Sequence, residues 1–272
     1  SYFSVLMRVG LAALVFLPFL RTRGQSPRTI VLYMLVGAMQ LGIMYLLAFR
    51  AYLYLTVSEF LLFTVFTPLY ITLIYDLLSG RKLRWGYLLS AALAVLGAAI
   101  IRYDKVSDHF WTGLLLVQLS NLCFAIGMVG YKRLMEVRPM PQHNAFAWFY
   151  VGAFIVAVAA WFMLGNAQKL PTTTLQWSVL VWLGVVASGL GYFMWNYGAT
   201  QVDAGTLGIM NNVHVPAGLL VNLAIWQEQP HWPSFISGAL VILASLWVHR
   251  RWVAPHSGQT ADDRRRGSAQ SE

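Results

Sequence analysis

Charge is scarce in this sequence. Only 11% of its 272 residues are Asp, Glu, Lys or Arg, against 58% hydrophobic, and the mean hydropathy is +0.60. That leaves too little polar surface to coat a soluble globule of this length, so the lipid bilayer is the expected surroundings. Cysteine is nearly absent as well. Cys123 is the single one and lies in an apolar run, which excludes an intrachain disulfide and gives no redox framework. No glycine loop for a nucleotide, no metal-ligand spacing and no Ser-His-Asp arrangement can be drawn from the six scattered histidines. Catalytic residues, cofactors and metals are therefore not expected. A pump driven directly by ATP on this chain alone is disfavoured, and a membrane-embedded enzyme would have only His214 and Glu59, in different halves, as acid and base.

What the chain does contain is long apolar runs. A spanning helix needs about 20 mostly apolar residues, because hydrocarbon offers the backbone no other hydrogen-bond partner. Nine segments qualify, at about 2–20, 29–49, 57–78, 84–101, 110–131, 144–165, 175–197, 204–226 and 232–249. Their connections are too short for an extramembrane domain, and the polar tail 254–272 reads as disordered. If the loop after the first segment is cytoplasmic, that side collects fourteen basic residues, among them Arg21, Arg23, Arg28, Lys132, Arg133 and Arg138. The other side collects four, Arg50, Arg102, Lys105 and Lys169, and Arg8 stays inside a span. This asymmetry places the C-terminus in the cytoplasm and explains the net charge of +9 as topology, with no nucleic-acid partner.

The chain also repeats itself. Val36-Gly37, Gly42 and Tyr45 recur 147 residues later as Leu183-Gly184, Gly189 and Tyr192, and after a one-residue slip Pro68 recurs as Pro216. The second, third and fourth segments thus pair with the seventh, eighth and ninth. The fifth opens the second half without a first-half counterpart, so one further helix is expected upstream of residue 1. The expected fold is an all-α polytopic membrane protein, an inverted-repeat transporter of five plus five helices, nine of the ten visible. Its divisions are 1–108, 109–253 and the cytoplasmic tail 254–272. Five is odd, so the halves are inverted, and inverted repeats that bury a ligand between them are a transporter architecture.

An ionisable side chain at mid-membrane costs about 2.5 to 3.5 kcal/mol on insertion scales, so each one needs a partner or a task. Arg8 has two readings. It forms an ion pair with Glu59, locking two helices, or it holds a substrate carboxylate, whose geometry the guanidinium fork matches. Asn211, Asn212 and His214 lie just before Pro216, which frees a backbone carbonyl, and as a cluster they are expected to face a cavity. Their first-half counterparts include Phe63 and Phe66, giving one polar and one aromatic wall. Gln40 and Tyr45, the pair Gln118 and Asn121 on one helix face, and Tyr192, Trp195 and Asn196 complete the candidates. Any one amide alone can equally bridge two helices. Gly184, Ser188 and Gly191 read as small residues for close helix packing, and Arg50 and Asp203 as helix ends.

The segments LGVVASGLGYFMWNYGATQVDAGTLGIMNNVHVPAGLLVNLAIW and VSEFLLFTVFTPLYITLIYDLL resemble the drug/metabolite transporter superfamily, in its ten-helix EamA-like branch, over essentially residues 1–253. The resemblance implies ten helices, cytoplasmic termini, alternating access through a central cavity, and a family arginine at Arg8. Many relatives have Gly-Glu in both halves where this chain has Gly80-Arg81 and Gln227-Glu228, so no role of that acidic pair carries over. The whole chain, including RVGLAALVFLPFLRTRG, LLLVQLSNLCFAIGMVGYKRLM, MPQHNAFAWFY and QTADDRRR, is similar to the enterobacterial biotin transporters of this branch. That similarity implies biotin as the small-molecule substrate, imported across the inner membrane. Biotin offers a ureido ring suited to Asn and His, an apolar bicycle suited to Phe and Trp, and a carboxylate suited to Arg. Export of amino acids, drugs or other metabolites in the same frame stays open, because sequence does not encode direction, and a membrane-embedded enzyme is the third alternative. The oligomeric state is not encoded.

Overall fold

The computed structural model describes residues 2–55, 60, 63–64, 66–80, 89, 92, 110–166, 170–213, 216–217, 220, 232–233, 236, 240, 243–244 and 247. Glu59, His214, nearly all of the expected fourth segment, more than half of the ninth, and the tail lie outside the described residues. Regular structure among the described residues is helical. The α-helices are α1 (Tyr2–Phe16), α2 (Pro27–Gly37), α3 (Met44–Ala51), α4 (Thr67–Leu78), α5 (Phe110–Val137), α6 (Gln142–Leu164), α7 (Thr174–Trp182), α8 (Tyr192–Ala199) and α9 (Ala204–Asn211).

Among the described residues, five helical stretches are long and apolar enough to cross a membrane: Tyr2–Phe19, Pro27–Ala51, Trp111–Val137, Gln142–Leu164 and Thr174–Ala199. They coincide with five of the expected segments. The fifth expected segment ends later than 131, at Val137, because its last turns neutralise their own charge. Lys132 reaches Glu136 at 3.3 Å along the helix and donates to the Val202 carbonyl at 2.8 Å. Helix starts follow local capping chemistry. Ser26 accepts from the Thr29 N–H with Pro27 behind it, Thr173 and Gln176 form a capping box, and Asp203 accepts from the N–H groups of Gly205 and Thr206. The boundary role expected for Asp203 is this cap.

Two of the spans are not continuous α-helix. A π-helical segment, Ala38–Ile43, joins α2 to α3, and a second, Leu183–Gly191, joins α7 to α8. Shifting the first by the 147-residue repeat gives 185–190, inside the second, so the duplication preserved the widened turn along with its glycines. Each segment packs on a helix from the other half of the sequence. A Cβ on Gly42 would lie 2.8 Å from Val156 of α6, and one on Gly184 would lie 2.8 Å from Leu11 of α1. Among the described residues the closest approach at a glycine is between α2 and α6, where Cβ atoms on Gly37 and Gly152 would fall 1.8 Å from the carbonyl oxygens of Phe149 and Met34. Without aqueous exclusion to drive helices together, such backbone approach supplies the dispersion contacts that hold them. Large apolar side chains such as Leu14, Phe162 and Met194 are left exposed, as a lipid-facing surface requires.

The chain forms two compact units, residues 1–64 with 105–202, and residues 65–104 with 203–272. Each unit draws from both halves of the sequence. The first holds α1 to α3 and α5 to α8, around a core that includes Phe16, Tyr33, Tyr131, Phe146, Phe149 and Tyr150. In the second, α4 packs on α9, and a Cβ on Gly208 would touch the Pro68 carbonyl at 3.3 Å. The expected eighth segment is interrupted: Asn212 and Val213 donate to carbonyls three residues back, at 3.1 Å each, before Ala217 resumes the four-residue spacing. Phe66, before Pro68, makes a similar turn and accepts from the Leu69 N–H at 3.0 Å. Gly80 ends the stretch after α4 with φ of +60°, a conformation in which Gly is cheapest.

Candidate functional site

Arg8 sits in the middle of α1, half-buried inside a span. Its Nε donates to Ser188 Oγ at 3.1 Å and its Nη2 donates to Tyr45 Oη at 2.9 Å. The two hydroxyl oxygens lie 3.3 Å apart, and the guanidinium carbon stands 4.5 Å from the Tyr45 ring centroid. Tyr45 comes from α3 just past the first π segment, and Ser188 from within the second. The glycine at 184 lets α1 approach: a Cβ there would lie 3.4 Å from Arg8 Cα. Tyr150 of α6, fully buried, donates to the carbonyls of Ser188 and, at 3.3 Å, Gly189. A widened turn displaces carbonyls from their usual donors, and the Tyr150 hydroxyl takes up that capacity.

The Arg8 partners Ser188 and Tyr45 are both neutral. Among the described residues it forms no ion pair with a carboxylate, and the Glu59 alternative lies outside them. Hydrogen bonds to a charged group contribute about 1.5 to 3 kcal/mol each, enough for two of them to offset the cost of placing the guanidinium in the span without neutralising it. The charge also reaches the end of α3. Burial pushes the Tyr52 phenol up, and the Arg8 charge pulls it back down.

The other candidates divide by environment. Gln40, in the first π segment, is fully buried with neither amide atom partnered, and Asn196 is fully buried with Oδ1 unpartnered while its Nδ2 donates to the Tyr192 carbonyl at 3.0 Å. Gln118 and Asn121 share a face of α5 as expected. Both donate to one carbonyl, that of Phe63, at 3.0 and 2.9 Å, the helix-bridging use of an amide. Phe63 is buried against Ala51, Leu55 and Val117, whereas Phe66 is exposed. Trp195 donates from Nε1 to Met128 Sδ at 3.0 Å, and Trp148 donates from Nε1 to the Arg21 carbonyl at 3.2 Å. In the second unit Asn212 is fully buried and Asn211 half-buried, at the helix interruption. A groove of about 640 Å³ between α1 and α6, lined by residues such as Leu6, Leu14, Val151 and Phe154, offers no charged side chain and suits acyl chains rather than a polar ligand.

Sequence reasoning missed Ser188 and Tyr150 as functional partners. Ser188 reads as a packing residue among glycines, and only the π geometry turns its hydroxyl to Arg8. Tyr150 lies among aromatics, and no periodicity marks a hydroxyl that reaches a displaced carbonyl.

A family model described as the EamA-like transporter family matches residues 1–103 and 111–250. The biotin transporter of Escherichia coli (strain K12) is 83% identical over 272 residues, which is all of this chain and 91% of that protein. The probable biotin transporter of Pseudomonas aeruginosa is 54% identical over 92% of this chain and 88% of its own length. A solved crystal structure of a protein 16% identical to this chain superposes with a TM-score of 0.74, covering 91% of this chain and 86% of that one, and shows the same fold.

Proposed function

The chain belongs to the EamA-like transporter family, and from that premise we propose that it imports biotin across the bacterial inner membrane by alternating access, with its C-terminus in the cytoplasm. It is a multi-pass membrane protein of a transporter family, not an enzyme. The substrate assignment draws support from the relatives named biotin transporters at 83% and 54% identity. The observation that carries it on this chain is Arg8, a guanidinium inside a span that is held by two neutral hydroxyls and keeps its charge for an anion. Biotin ends in a carboxylate, and Arg8 grips it. Gln40 and Asn196, with buried amide atoms unpartnered, are the proposed partners of the ureido group in the first unit, and Asn211 and Asn212 of the second unit are proposed separately as substrate-binding residues, each to be tested by substitution.

The test is growth of a biotin-requiring strain that lacks its own uptake, at limiting biotin, with and without this protein, followed by uptake of labelled biotin into the same cells. The protein should restore both. Failure of both, with the protein present in the membrane, sinks the reading, and loss of preloaded biotin from cells expressing it would reassign the direction to export.

A further inference from the structure

The guanidinium of Arg8 has two edges that can each meet a carboxylate side by side, the Nε/Nη2 edge and the Nη1/Nη2 edge. The hydroxyls of Ser188 and Tyr45 take one donor each from the first edge, at 3.1 and 2.9 Å. They stand 3.3 Å apart, so together they occupy that edge much as the two oxygens of a carboxylate would. The second edge is left with Nη1 and the other Nη2 hydrogen. Resting on the proposal that Arg8 holds the carboxylate of biotin, we infer that Ser188 is a positioning residue, which with Tyr45 clasps the inner edge of Arg8 and dedicates the Nη1/Nη2 edge to the substrate.

Three features converge on Ser188. It is the only polar side chain of the second π segment, and it is fully buried. Its own backbone carbonyl is held by Tyr150, so the widened turn that aims its hydroxyl is fixed from a second helix. At the repeat-equivalent position in the first half, 147 residues earlier, the buried residue is Leu41, which cannot bond a guanidinium. The frame of the two π segments is therefore shared, and the hydroxyl is an addition to one of them. Packing alone would be served by leucine, as it is at 41.

The readout is selectivity, because a purely structural role would lower transport of every ligand together. In competition with labelled biotin, the ratio of inhibition by unlabelled biotin to inhibition by its neutral carboxamide is measured for wild type, Ser188→Ala and Ser188→Thr. The wild type should prefer biotin. Ser188→Ala should lose that preference about five- to tenfold, since a guanidinium free to turn gives up its paired contact, and Ser188→Thr, which restores a hydroxyl, should keep it. Should Ser188→Ala fail to reach the membrane, Tyr45→Phe removes the other hydroxyl of the clasp while keeping the ring, and should show the same selective loss. An unchanged ratio in Ser188→Ala or, in its place, in Tyr45→Phe overturns the clasp while leaving biotin import standing. So does equal loss in Ser188→Thr, which would mark packing. A wild type that imports biotin without preferring it over the amide overturns the clasp and the carboxylate role of Arg8 together, and a wild type that imports no biotin overturns the function itself.

Discussion

Tyr45 and Tyr192 are equivalent residues of the repeat, 147 positions apart, and their rings meet edge to face with centroids 6.1 Å apart. Residues related by a duplication touch each other only near the axis that relates the two copies. The pair therefore marks where the inverted halves meet within the first unit, and Arg8 bonds one member of it. A symmetric aromatic pair beside a single guanidinium is chemically one-sided, which suits a ligand that has an anionic end and a neutral end.

Arg8 should be the most sensitive position in the first unit. Arg8→Ala should abolish most biotin uptake, and Arg8→Lys should retain part of it, since lysine keeps the charge and loses the fork. Glu59 offers the competing account. If Arg8 served only to neutralise that carboxylate, the double variant Arg8→Ala with Glu59→Ala would recover the uptake lost in the single variants, because the unpaired buried charge is gone. The expected outcome is no recovery, read as initial uptake rates normalised to membrane protein level.

The crossing of α2 on α6 should fail on a single methyl. Alanine at 37 or 152 would place Cβ 1.8 Å from a backbone carbonyl oxygen, which no side-chain rotation relieves. Overpacking of this kind costs about 1 to 3 kcal/mol, so Gly37→Ala and Gly152→Ala should lower the melting temperature in detergent by several degrees. Gly198, in α8, has nothing within 4 Å of a Cβ and serves as the control. Gly198→Ala should be neutral or stabilise by up to about 1 kcal/mol through helix propensity.

The sequence displayed its spans and its duplication plainly because both are periodic signals. Apolar runs marked the five described spans, and the spacing of Gly37, Gly42 and Tyr45 marked their repeat. The helix interruption around Asn212 was foreshadowed by Pro216 and lies where a proline leaves the preceding turn short of a donor. The π segments were not legible, since one extra residue in a turn leaves apolar composition unchanged. With them went the role of Ser188, whose direction depends on that extra residue. Gln118 and Asn121 were found as a pair sharing a face, yet the carbonyl they hold, that of Phe63, is 55 and 58 residues away, and no local pattern encodes such a partner.

Topology and the second unit have their own tests. A reporter fused after Val253 should behave as cytoplasmic, as the basic-residue asymmetry requires, and activity only on the outer side would reverse the assigned orientation. Asn211→Ala and Asn212→Ala should raise the apparent uptake constant for biotin about five- to hundredfold, the cost of losing one hydrogen bond to a buried polar group of the substrate. Normal constants in both variants, at normal protein level, would return them to helix packing.

Gln40 joins stability to function. Its side chain is fully buried with neither amide atom bonded, in a π segment pressed against α5, where a Cβ on Gly127 would lie 2.3 Å from its own Cβ. An amide buried without partners costs about 1 to 3 kcal/mol, and methionine is close to it in length and volume. Gln40→Met should therefore raise the melting temperature of the ligand-free protein. If the amide is kept for the ureido group of biotin, the same variant should raise the apparent uptake constant about tenfold, and added biotin should raise its melting temperature less than it raises that of the wild type. A stabilised variant with unchanged uptake would remove Gln40 from the binding residues, and a destabilised one would show that its amide has a partner in the free protein.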